Sequence, residues 1–139
     1  MNMSTENLPV SEDTTDDTVT FVINENCDHL PIPVAAAAFT KLDMVISLPW
    51  CGIANQTVAI GLPFTIHVKE GIRIRSSLIA PASVFNTFGM EVWFDPITNL
   101  YYDTEDALLY CVGYVRNVVD AAGVFGFEKR RYVIEGEAT

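Results

Sequence analysis

Positive charge is scarce in this chain. Eight Lys and Arg stand against eighteen Asp and Glu, a formal net charge of -10. No basic stripe runs along any segment, which speaks against a nucleic-acid-binding surface. Histidine and cysteine are sparse too: two His, and three Cys (Cys27, Cys51, Cys111) scattered singly. With no CxxC or HxxxH spacing, the sequence assigns no metal ligand, cofactor-binding residue or catalytic residue. Odd, widely spaced cysteines read as reduced thiols, which places the chain in the cytoplasm or inside a virion. No apolar run approaches the roughly 18 residues a membrane span needs. The N-terminus has no basic-then-apolar leader, so no secretory signal is expected. The glycines are dispersed and form no phosphate-cradling loop.

What the chain does have is unevenly placed. Residues 1–28 hold seven acids (Glu6, Glu12, Asp13, Asp16, Asp17, Glu25, Asp28) and no Lys or Arg, whereas eleven acids and eight bases follow from His29 onward. Residues 1–17 read as a flexible acidic arm and 18–139 as one globular domain of single-core size. Half of all residues are hydrophobic. That is rich for a domain this small and favours a homo-oligomer or a subunit of a larger protein assembly.

The best-determined stretch is EVWFDPITNLYYD (91–103). Asp95 and Pro96 start a turn and Asn99 closes it in the left-handed region, which sets Phe94 opposite Tyr101 and Trp93 opposite Tyr102. Both faces of that hairpin are aromatic, so Trp93, Phe94, Tyr101 and Tyr102 are candidate interface residues. The following TEDALLYCVGYVRNVVDAA reads as an amphipathic helix, with Glu105 and Asp106 in its first turn and Gly123 as its stop. Residues 34–42 suggest a short helix behind Pro33. Strands are expected at 18–24, 44–48, 57–62, 131–135 and in a hairpin around Lys69, Glu70 and Gly71 that pairs Val68 with Ile72 and Ile66 with Ile74. The expected fold is therefore α+β, mostly β: an antiparallel sandwich or partial barrel of about seven strands, with one helix packed on the sheet.

Chemistry is thin. Pro49-Trp50-Cys51-Gly52 resembles the start of the thioredoxin active-site motif, but the partner position holds Ala54. The 66–74 hairpin register puts His67, Arg73 and Arg75 on one face with Lys69 at its end, a candidate site for an anion or for a subunit contact. Lys129, Arg130 and Arg131 form a second basic group. The sequence points to a non-enzymatic structural or assembly protein acting through protein surfaces, in the style of a small viral or phage virion component. The alternatives are a small inhibitor or adaptor binding a host protein or small ligand, and a Cys- or His-dependent enzyme.

Overall fold

The computed structural model describes residues 29–137. The arm and the expected strand at 18–24 lie outside these residues. Among the described residues every regular element is a strand: β1 His29–Ile32, β2 Met44–Ser47, β3 Trp50–Ala54, β4 Phe64–His67, β5 Arg73–Ser76, β6 Glu91–Asp95, β7 Leu100–Tyr102, β8 Tyr110–Asn117 and β9 Phe125–Glu135. They form one antiparallel sheet, ordered β1-β4-β3-β9-β8-β6-β7, that does not close; β2 adds to β3 and β5 to β9.

The eleven-residue β9 organises this sheet. One of its edges runs along β8, from Asn117↔Gly126 to Tyr110↔Glu135. Its other edge is shared: residues 125–128 pair with β5, whereas Tyr132 meets Trp50 of β3. The sheet thus forks beside β9, and the main core fills the fork with Ile53, Ile74, Phe85, Phe94, Val112 and Phe125 among its buried members. Phe85 and Phe125 stack at its centre, with centroids 4.0 Å apart and planes at 7°. A second cluster, including Val58, Phe64, Ile66 and Val68, lies on the far side of β3.

The aromatic hairpin forms as expected. Phe94 pairs with Tyr101 and Trp93 with Tyr102. Asp95 accepts from the Ile97 amide and the Thr98 hydroxyl, and Asn99 is left-handed at φ 62°. Phe94 and Tyr101 face the main core. Trp93, 2 % exposed, is covered by Leu109 and Cys111 of the same chain, which leaves only Tyr102 partly accessible. We expect Phe94→Ala to cost about 3–5 kcal/mol in a urea melt; a loss well below 1 kcal/mol would contradict this packing.

The α+β expectation is corrected to all-β among the described residues: the expected helix is β8 together with a turn at 106–109. The error has a physical source in the irregular ladders of β8, whose register shifts against β9 at Cys111/Gly113 and Val115/Asn117 and against β6 at Val92/Trp93. Against β6, whose Val92 and Trp93 pair with Gly113 and Cys111, β8 carries Val112 as an extra residue, so the core-facing Val112 and Val115 stand three apart and imitate helical spacing. The strand is also apolar on both sides, since Cys111 packs beneath Trp93. The acids expected in a first helical turn bond loops instead: Glu105 accepts from the Glu137 amide and Asp106 from the Ala107 amide.

Three further expectations change. Residues 34–42 are not helical; Ala35 donates to Leu62 and Phe39 bridges Val58, the only ladder contact in the 57–62 stretch. The last strand is longer than the expected 131–135, since β9 opens at Phe125. The Val68–Ile72 hairpin does not form either. Gly71 is left-handed as expected, at φ 84°, but β4 pairs with β1 and β3 while β5 pairs with β9. The turn crosses the fork, with β9 set between its two sides.

Candidate functional site

Lys129 fills the fork point. It is 1 % exposed, and its ammonium donates to the carbonyls of Cys51 (2.6 Å), Val68 (3.2 Å) and Arg130 (2.6 Å), one from each element that separates there. The Cys51 thiol lies 3.9 Å from Nζ and itself donates to Arg130 O at 3.0 Å. Burial pushes the lysine down to about 8 from 10.5, opposed first by the neighbouring Cys51 sulfur, and burial pushes the Cys51 thiol up. Three donors meeting three carbonyls is a complete set for an ammonium. The group is a staple between strands. Cys51 is 0 % exposed, so iodoacetamide at neutral pH should leave it unmodified in the folded chain and label it only on unfolding. Rapid native-state labelling, read by peptide mass spectrometry, would instead support thiol chemistry at Cys51 in β3.

His67 is separated from the arginines it was expected to join. It is 2 % exposed on β4, with Nε2 2.9 Å from Asn55 Oδ1 and its ring edge-on to His29 at 4.4 Å. Burial, then the nearby charges of His29, Lys129 and Lys41, push it down to about 4 from 6.5. The unfolded chain therefore takes up a proton between about pH 6.5 and 4 that the folded chain refuses, so stability falls with pH across that window. Urea unfolding at about pH 7.5 and 4.5 should show a loss of about 2–3 kcal/mol from this group, absent in His67→Gln; equal losses in both proteins would contradict the assignment.

The solvent side of β5, β9 and β8 is different. Registers Arg73↔Glu128 and Glu128↔Tyr114 put these three side by side, with Arg75 and Arg116 one step along. Arg75 pairs with Asp120 at 3.8 Å and Arg116 with Glu128 at 3.4 Å. Further along β9, Arg130 is fixed from two sides: Nη1 donates to the Tyr114 hydroxyl (2.6 Å) and Nε to Tyr132 O (2.9 Å). Its guanidinium also lies 5.7 Å from the Tyr114 ring centroid. Arg131 sits 5.5 Å over Trp50, which packs on Tyr132 at 5.0 Å. Glu70, Gly71, Tyr114, Arg130, Arg131 and Tyr132 border a shallow cleft of about 220 Å³ here.

Of the expected contact residues, the structure thus brings Arg73 and Arg75 to this side and places Lys69 on the β4–β5 connection at its margin. Sequence reasoning noticed Lys129 to Arg131 as a run but missed that it joins Arg73 and Arg75, because a β5–β9 pairing leaves no local signal. Tyr114, Arg116 and Trp50 were also missed. Comparison with known protein families, with curated proteins and with solved structures returns no match.

Proposed function

We propose that this chain is a non-enzymatic assembly protein that binds an acidic protein surface through the β5–β9–β8 side, a role suited to a small virion component or other assembly subunit. The carrying observation is the preorganised group of Arg130, Arg131, Tyr114, Trp50 and Tyr132. Arg, Tyr and Trp are the side chains on which protein interfaces most depend, and arginines already fixed on aromatic rings lose little freedom on binding. A cleft of about 220 Å³ is small for a drug-sized ligand, which typically needs about 300 Å³ or more. Glu70, Glu91 and Glu128 interrupt the bases, so no continuous basic stripe follows a uniformly charged phosphate backbone; a protein surface, predominantly acidic but with bases of its own to meet these carboxylates, is favoured over nucleic acid. Cys51, Lys129 and His67 are buried and bonded to their neighbours, where they serve packing.

Calorimetric titration of the full chain with poly-glutamate, and separately with duplex DNA, tests this reading. Poly-glutamate should bind, and Arg130→Ser/Arg131→Ser with an unchanged melting temperature should weaken it about tenfold or more. Binding of DNA alone would overturn the partner class, and binding of neither would overturn the reading.

A further inference from the structure

Charge is sorted in space more strongly than along the chain. Of the eight bases, six lie on the β5–β9–β8 side or its margin: Lys69, Arg73, Arg75, Arg116, Arg130 and Arg131. Lys129 is buried beneath them, and Lys41 alone lies elsewhere. Four of the eleven acids from His29 onward share that side (Glu70, Glu91, Asp120, Glu128), two of them in the ion pairs with Arg75 and Arg116. The other seven acids have only Lys41 for company. Six bases against four acids make one side positive, while seven acids against one base make the remainder negative.

The most acidic stretch of the chain joins the domain beside the positive side. Residues 1–28, with seven acids and no base, lead into His29, the first residue of β1. His29 is the Cα partner of His67. Lys69 follows two residues after His67, and Gly71 donates to the Lys129 carbonyl at 2.9 Å. The covalent attachment of the acidic stretch therefore stands at the edge of the basic group. Twenty-eight residues extend at most about 100 Å, so every base on that side is within reach. Covalent attachment also holds these acids at an effective concentration on the order of millimolar. Same-chain contact thus has the advantage over contact with a second copy.

We infer that residues 1–28 dock by charge on the β5–β9–β8 side of their own chain and compete there with an acidic partner. This rests on the proposed binding face and adds its regulation: an incoming acidic surface must displace the chain's own. The test uses the full chain with Glu6→Gln, Glu12→Gln, Asp13→Asn, Asp16→Asn, Asp17→Asn, Glu25→Gln and Asp28→Asn, all before the described domain. Two quantities are measured: the amide NMR shifts of Lys69, Arg73, Arg130 and Arg131, and the affinity for poly-glutamate. At low salt, neutralisation should move those amides and tighten poly-glutamate about tenfold; high salt should move the parent's amides in the same direction. Identical spectra and equal poly-glutamate binding in the two proteins would overturn self-docking while leaving the binding face standing. Binding in neither would overturn both. Shift differences that grow with protein concentration would place the segment on another copy and overturn the same-chain inference.

Discussion

Replacing Lys129 by methionine, which keeps its approximate volume, is expected to destabilise the fold by about 2–4 kcal/mol. Two effects oppose each other. The ammonium is held at about 8 by burial, some 2.5 below its ordinary 10.5, so removing a charge from that site returns about 3 kcal/mol. Against this stand three carbonyls that lose charge-assisted donors, at roughly 1.5–3 kcal/mol each. The carbonyls win, because Cys51, Val68 and Arg130 belong to different strands and connections, and the Cys51 thiol, which donates to Arg130 O, leaves the Cys51 and Val68 carbonyls without a replacement donor. The lysine's pH signature gives a second readout. Between about pH 8 and 10.5 the unfolded chain keeps a proton that the folded chain gives up, so stability should rise with pH across that window. In Lys129→Met that rise should vanish. A variant as stable as the parent, with the same pH slope, would show that the staple contributes nothing.

Gly113→Ala is the second large effect. Gly113 lies in β8 at the bulge, directly against β9, and a Cβ there would collide with the Glu128 carbonyl oxygen and stand 2.9 Å from Phe127 Cδ2. A backbone carbonyl in a central ladder cannot step aside, so the strands must part. The cost should be about 3 kcal/mol or more, at the upper end of overpacking. Gly61→Ala is the control: its φ of 88° disfavours alanine, yet no atom lies within 4 Å of the new Cβ. About 1 kcal/mol is expected there. Comparable losses at the two positions, in urea melts, would contradict the account of the bulge.

How much was legible in the sequence follows from the range of each interaction. The 91–102 hairpin was legible to the residue, because Asp95, Pro96 and Asn99 fix its turn within a few bonds of the strands they join. The left-handed Gly71 was legible for the same reason, but not what the chain does on either side of it. Val68 belongs to one core cluster and Ile72 to the other, and β9, more than fifty residues downstream, lies between them. The β8 bulge at Val112 converted strand alternation into three-residue spacing, so a periodicity argument selected the wrong element. The candidate face suffered most. Its bases come from 69–75, 116 and 130–131, and only the β5–β9–β8 ladder makes them neighbours. In sequence they appear as minor groups within an acidic chain.

The central claim is that this positive, aromatic side is where the chain meets its partner. The most direct test is amide-resolved NMR titration of the isotopically labelled full chain with poly-glutamate at low salt. The account predicts perturbations confined to Lys69 through Arg75, Tyr114 through Arg116 and Arg130 through Tyr132, reversed by salt. Perturbations centred on the 95–106 loops, or spread evenly over the domain, would contradict it.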